Sequence, residues 1–315
     1  MRAPSIAGRS ASPASRASAA RPALSGERRR DAWTACLMLA PYVVAFFVFM
    51  VAPSVYGLYL SFTDYRLGAV RVHWIGWENF SYVLTDPQFQ TSAKNTVIFV
   101  LESTPVLIAL PLLLAVALNR GMPLRDFLRG AFFLPFTLSV SVVSICWWWL
   151  LDANFGPVYF YLKQWGVHPP AWVANAGLAM AAVVLATVWW TSGYNMVLFL
   201  AGLQGIPLHL YEAARMDGAD GWRQFWAITL PLLRPTMLFV AVIQVIASFQ
   251  IFGQVYVMTG GGPGDSTRTV IQHVYETAFV QQRMAEGSAA AWILFVIILI
   301  VSLAQFKFLS GHTEY

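Results

Sequence analysis

Glu212, Ala213 and Ala214, then Gly218, then Ile228, Leu230 and Pro231 are the side chains of this sequence best suited to a specific contact. Their spacing is E-A-A-x3-G-x9-I-x-L-P, on a polar stretch between membrane-length apolar runs. A carboxylate such as Glu212 can accept bidentate hydrogen bonds from an arginine on another protein. Ala213 and Ala214 favour helix and carry no bulk, so a second backbone can come close. Pro207 suits the first turn of that helix. Gly218 suits the position after its end, where a left-handed residue is needed, and Asp220 can cap a second helix. In that second helix Trp222, Phe225, Trp226 and Thr229 recur at three- and four-residue steps, as on a helix lying along a membrane surface. The chemistry on offer is recognition. On these grounds alone, an ordinary amphipathic connection between two spans fits as well.

A second group lies inside the apolar runs. Thr187, Trp190, Thr191 and Tyr194 share one face of the fourth run, and Gln244 and Ser248 share a face of the fifth. Polar side chains at membrane depth are costly unless they meet a cavity or a partner. Neutral amides and hydroxyls beside aromatic rings suit a polyhydroxylated, uncharged ligand: each hydroxyl finds a partner and a ring covers the apolar face of a sugar. Glue between packed helices is the alternative for each residue. Glu102 is the one acid deep in a run, and a structural role is expected of it.

Catalytic and metal chemistry find little support. The sequence has no Gly-Lys dipeptide, hence no phosphate-binding loop of the G-x-x-x-x-G-K-[ST] type. His73, His168, His209, His273 and His312 form no pair at ligand spacing and are expected to be solvated or interfacial. Cys36 and Cys146 sit in apolar runs, where buried, inert thiols are the expectation. No nucleophile–base pair or carboxylate pair marks an enzyme. An ion-coupled secondary carrier, the main alternative, usually holds a relay of ionisable groups in the membrane, and Glu102 stands alone.

The elements that must position these residues are membrane helices. Hydrophobic residues make up 58% and charged residues 11% of 315, against about 45–50% and about 25% in soluble domains. A bilayer core of about 30 Å needs about 20 helical residues, and six runs qualify: 33–62, 94–118, 127–151, 177–203, 235–258 and 288–309. The expected fold is all-α, a polytopic membrane protein with six transmembrane helices and a short helix between the fourth and fifth on the cytoplasmic side. Pro41 and Pro53 are expected to bend the ends of the first run, and Pro231 and Pro235 to open the fifth. Trp147, Trp148 and Trp149 end the third, at interface depth.

Residues 1–31, rich in Arg, Ala, Ser and Pro, read as a disordered basic tail; 32–310 as one membrane domain with its polar loop at 205–234; 311–315 as a short tail. The net charge of +5 is concentrated in the first tail, which argues against nucleic acid as a partner. By the positive-inside rule the N-terminus lies in the cytoplasm. The tail arginines, Arg120, Arg125, Arg129, Arg215, Arg223, Arg234 and Lys307 then fall inside, against Arg66, Arg71, Lys94, Lys163, Arg268 and Arg283 outside. This orientation puts both termini and the Glu212 stretch in the cytoplasm.

The Glu212 spacing resembles, without a gap, the cytoplasmic coupling loop of the integral membrane subunits of type I ABC importers. The chain is similar to the branch that moves sugars and related polyols, of the maltose-permease or glycerol-3-phosphate-permease first-subunit type. Leu60-Ser61-Phe62-Thr63-Asp64-Tyr65, Phe132-Phe133-Leu134-Pro135, Phe199-Leu200-Ala201-Gly202-Leu203-Gln204 and Thr259-Gly260-Gly261-Gly262-Pro263-Gly264 extend the resemblance over about 35–310. It implies a heterodimer with a sister permease subunit, two ATPase subunits that bind the ATP, and an extracytoplasmic solute-binding protein, in a bacterial inner membrane. No cofactor is expected in this chain. The resemblance also implies ATPase coupling through Glu212, Ala213, Ala214, Gly218, Leu230 and Pro231, and a substrate path at Thr187, Trp190, Tyr194, Gln244 and Ser248.

Overall fold

Prolines and polar caps decide where the apolar runs begin, bend and stop. The computed structural model describes residues 24–119 and 123–310. Residues 1–23, Arg120 and 311–315, on which parts of the tail and orientation readings rest, lie outside the described residues. The rest is helical, with no strand among the described residues beyond an isolated bridge between Thr63 and Trp74. It falls into two units divided after Val55.

Helix α1 (Leu24–Phe46) starts inside the expected tail and passes through a π turn at Phe47–Val51 into α2 (Ala52–Ser61), within which the division falls. The helix continues through Pro41 without a break. The π turn precedes Pro53, which cannot donate to a preceding carbonyl.

The second unit holds the remaining helices. They are α3 (Glu78–Thr85), α4 (Pro87–Leu118), α5 (Arg125–Phe133), α6 (Val140–Leu150), α7 (Pro157–Gln164), α8 (Ala179–Gln204), α9 (Leu208–Met216), α10 (Gly221–Gln224), α11 (Leu230–Leu232), α12 (Arg234–Phe249), α13 (Gly253–Met258), α14 (Val270–Tyr275) and α15 (Met284–Ser310). Four stretches are long and apolar enough to cross a membrane: Trp33–Ser61, Pro87–Leu118, Ala179–Gln204 and Met284–Lys307. Counting each of two bent pairs as one span raises this to six.

The third run differs from the continuous helix expected over 127–151. A 3-10 turn at Leu134–Thr137 and an extended Leu138 separate α5 from α6, and the pair bends by 98°. Pro135 starts the turn, and Ser139 restarts the helix by accepting from the Val142 amide at 3.4 Å. The fifth run is also interrupted, between Phe249 and Gly253, where the Thr269 hydroxyl donates to the Ile251 carbonyl at 3.0 Å. The two interruptions meet: a side chain at Gly253 would begin 2.9 Å from a Val140 methyl.

Helix α4 is central, packed on α8 along one side and α12 along the other. Between spans in lipid, close packing and hydrogen bonds replace the hydrophobic drive, so small residues mark the seams. Ala289 and Ala290 of α15 are fully buried. Gly193 lets α8 lie against the Phe132 backbone, whose oxygen is 1.8 Å from where a β-carbon would sit. On the side of the bundle away from the Glu212 stretch, the turn at Thr259–Gly264 is tied to α4 by Asn95, which donates to Asp265 O at 2.6 Å.

Candidate functional site

The Glu212 stretch folds as two short helices joined by a tight stop. Pro207 occupies the N-cap of α9, one place before the first-turn position expected of it, with extended backbone (φ −62°, ψ 130°). Leu210 and Tyr211 turn inward onto the cluster built from Leu118, Phe199, Leu203 and Leu233. Glu212 and Ala213 face out, with Ala214 half-buried beside them. No ion pair or hydrogen bond among the described residues engages the Glu212 carboxylate.

Gly218 ends this helix with φ +80°. Its amide donates to Arg215 O at 3.0 Å, and the Ala219 amide donates to Ala214 O at 2.8 Å. These are the two bonds of a Schellman motif. Asp220 caps the next turn by accepting from the Arg223 amide at 2.8 Å, and α10 runs through a π turn at Phe225–Thr229 into α11. Gln224 donates to Ala219 O at 2.8 Å, and the Tyr211 and Thr229 hydroxyls meet at 2.9 Å. Leu230 and Pro231 are half-buried at the corner, where the chain turns 66° into α12. An open cavity of about 670 Å³ lies within this frame, bordered by Asn119, Tyr211, Arg215, Gln224 and Thr229.

About 20 Å up α8 from Gln204, at 1.5 Å per residue, is the second group. Trp190 and Tyr194 stand together around Phe136: Tyr194 stacks on it with centroids 4.6 Å apart, and Trp190 is tilted at 5.8 Å. The Trp190 indole donates to Leu138 O at 3.2 Å, satisfying a carbonyl at the break between α5 and α6. Both side chains are half-buried and keep a free face.

Thr187, Gln244 and Ser248 are withdrawn into the packed helices. Each is buried, Gln244 to 4% and Ser248 to 2% exposure, so they offer almost no surface to a solute in this conformation. Thr187 donates to Val183 O. Gln244 donates to Ser248 at 3.4 Å, and Ser248 lies 3.3 Å from Ser103 and 3.5 Å from Thr104. The hub is Asn195, whose amide donates to Gln244 Oε1 and to Leu107 O. Asn195, Ser103, Thr104 and Phe136 are absent from the sequence-derived set. Pro111 was the available signal, because it leaves the Leu107 carbonyl without its helical donor.

Three other expectations change. Glu102 is exposed on α4 and makes no hydrogen bond or ion pair among the described residues. Cys36 and Cys146, expected to be buried, are both exposed. His273, expected to be solvated, is 4% exposed and packs edge-on against Phe89. Burial lowers its pKa, opposed in part by Asp86 at 3.8 Å. No group of three or more metal-ligating side chains occurs among the described residues.

Comparison with known proteins fits this arrangement. Residues 95–310 match the family described as "Binding-protein-dependent transport system inner membrane component". The sn-glycerol-3-phosphate transport system permease protein UgpA of Agrobacterium fabrum is 34% identical over 282 residues, covering 89% of this chain and 95% of that one. The arabinooligosaccharides transport system permease protein AraP of Bacillus subtilis is 34% identical over 278 residues, covering 87% and 88%. A chain of a bacterial alginate ABC transporter, crystallised with its alginate pentasaccharide-bound periplasmic protein, shares the fold at a TM-score of 0.80 with 24% identity, over 90% of this chain and 96% of that one. The aromatic group of Phe136, Trp190 and Tyr194, an outward Glu212 and helices of membrane length thus sit in a chain that belongs to the binding-protein-dependent transport system inner membrane components, as a multi-pass permease subunit of an ABC importer.

Proposed function

We propose that this subunit carries a neutral carbohydrate across the membrane by alternating access, driven by ATPase subunits that dock on α9. The chain then crosses six times, with α5–α6 and α12–α13 each a broken span and both termini in the cytoplasm. A sister permease completes the pathway, two ATPase subunits bind and hydrolyse the ATP, and an extracytoplasmic binding protein delivers the solute.

The observation that carries the coupling role is the outward, unpaired Glu212 on a helix fixed at both ends. Gly218 fixes its stop and the Tyr211–Thr229 contact ties it to the chain entering α12. A partner arginine finds in Glu212 a carboxylate with free oxygens, and Ala213 leaves room for its backbone. Leu230 and Pro231 hold the corner. When the ATPases close, α9 is drawn inward and α12 moves with it. The bundle opens outward, and hydrolysis returns it.

The carbohydrate reading rests on the wall at Trp190, Tyr194 and Phe136. Flat rings suit the apolar face of a sugar, and the buried Thr187, Gln244 and Ser248 are neutral hydrogen-bonding groups that an opening of the bundle would bring to the solute. No Arg or Lys lies on α8 or on α12 beyond its first residue, Arg234. A phosphorylated solute would call for one near the path.

The test is purification of the tagged chain from its membrane, followed by reconstitution with the proteins that accompany it. ATP-dependent uptake of a sugar but not of glycerol 3-phosphate is the expected result. A chain that purifies alone and moves solute without ATP would falsify the coupling role.

A further inference from the structure

Four aromatic rings join in one cluster, with Phe252, Tyr256 and Tyr275 in mutual contact and Phe279 extending it beyond Tyr275. Phe252 and Tyr256 stack at 5.1 Å on α13, and Tyr275 and Phe279 follow at 5.8 Å along α14 and its π turn. Tyr275 joins the pairs, 5.3 Å from Phe252 and 5.5 Å from Tyr256. The opposite faces of the same helices make the core through Val255, Met258, Gln272 and Thr277, all buried. Tyr256 is 44% and Phe279 59% exposed.

The cluster leads somewhere. Its inner end, Phe252, is at the interruption of the fifth run, next to Gly253, which abuts Val140. Val140 follows Leu138, whose carbonyl holds the Trp190 indole. The inner ring therefore lies across one close contact from the elements that carry the Phe136–Trp190–Tyr194 wall. The outer end, Phe279, is on the loop that precedes α15. Aromatic belts facing lipid headgroups keep their rings at interface depth, whereas this cluster runs from an interrupted span out to a loop helix.

We propose that Phe252, Tyr256, Tyr275 and Phe279 form a stacking track that passes saccharide rings from the extracytoplasmic loop to the wall at Trp190 and Tyr194. The inference rests on the carbohydrate reading above and adds to it a preference for chains of several rings. The exposed rings of Tyr256 and Phe279 offer apolar surface to the C–H face of a sugar, Phe252 and Tyr275 back them, and the two tyrosines add hydroxyls. Beside Tyr275, the Glu276 carboxylate is bound by Arg268 at 2.7 Å and accepts from Gln272 at 2.9 Å. Arg268 also pairs with Asp265 at 3.0 Å, so the cation beside the track is committed to two carboxylates, and the track suits a neutral ligand rather than an anion. Several similar weak sites in series hold a long chain by multivalency while each contact stays easy to leave.

The test uses the assembled importer in proteoliposomes and compares Tyr256→Leu/Phe279→Leu with the wild type. Solutes are arabinose, arabinotriose, maltose, maltotriose and glycerol 3-phosphate. Trisaccharide uptake should fall about fivefold in the double variant, with shorter sugars changed less than about twofold. Phe279→Trp, which keeps a flat ring, should retain trisaccharide uptake and guards against a folding defect. Unchanged trisaccharide uptake, or an equal loss for all solutes, overturns the track while the carbohydrate reading stands. A wild type that takes up only glycerol 3-phosphate, or nothing in the panel, overturns the carbohydrate reading and the track with it.

Discussion

The side-chain amide of Asn195 donates to the backbone carbonyl of Leu107 at 2.8 Å, across the seam between α8 and α4. That carbonyl needs an outside donor because Pro111, four residues on, has no N–H. The same amide donates to Gln244 of α12 at 3.0 Å, so one side chain joins the three helices. Asn195→Leu should cost about 1–3 kcal/mol, the penalty for leaving a buried carbonyl unpaired. Pro111→Ala gives Leu107 a helical donor again, so the double variant should lose less than the sum of the two. Reversible unfolding in mixed micelles measures the cycle. Strict additivity would sever the link between the two residues.

Glu212→Ala and Gly218→Val test the loop in different ways. The first removes an exposed carboxylate and leaves the fold untouched. The second forces a β-branched residue into φ +80°, at about 1–2 kcal/mol or more. Both should lower ATP-driven uptake at least about tenfold, the value of one or two charge-assisted bonds, with the subunit still present in the membrane at normal level. Quantitative immunoblotting beside uptake separates the cases. Normal uptake in Glu212→Ala removes the carboxylate from the coupling role.

Trp190 carries two separable duties, a ring face and a donor to Leu138. Trp190→Phe keeps the first and loses the second, costing about 1 kcal/mol of stability with sugar uptake largely kept. Trp190→Leu loses both and should cut sugar uptake about tenfold, mainly through KM. Uptake kinetics and thermal unfolding on the same preparations provide the comparison. Equal kinetics in the two variants would remove the ring from the path.

Burial holds the His273 imidazole below its usual pKa, with Asp86, Arg268, Glu276 and Arg283 adding smaller effects of both signs. The folded protein therefore keeps it neutral where the unfolded chain takes up a proton. The stability from this site is fully present above about pH 6.5 and declines as pH falls through the folded value. His273→Gln should flatten the fall in thermal midpoint between about pH 7 and 5. An unaltered slope assigns the pH dependence elsewhere.

Much of this was legible in the sequence, for reasons that differ by element. The long runs at Pro87–Leu118 and Ala179–Gln204 were legible because length and hydropathy suffice for a helix in lipid. Gly218 and Asp220 were legible because their roles are local: one supplies a left-handed residue, the other a side-chain acceptor two or three amides away. The interruptions at Leu138 and Ile251 were not. Pro135, Gln250 and Gln254 stand at the breaks, but such residues also occur inside unbroken spans, and the free backbone groups are satisfied by Trp190 and Thr269, which lie elsewhere in the sequence. Gln244 and Ser248 were picked out for the right physical reason, being polar at membrane depth, yet their partners Ser103 and Asn195 come from other helices. Pairing across helices leaves no mark in a single chain.

The loop from Pro207 to Leu232 draws most of its shape from within. The bonds between Gly218 and Arg215, Ala219 and Ala214, Gln224 and Ala219, and Tyr211 and Thr229 all begin and end inside it. A segment that specifies its own geometry is portable. Exchanged whole between related permeases it should arrive with its contour preserved, whereas a graft of α9 alone would leave Tyr211 without Thr229 and spoil the joint. With the loop in its proposed role as the ATPase docking point, choice of motor and choice of cargo become separate inheritances, free to be recombined.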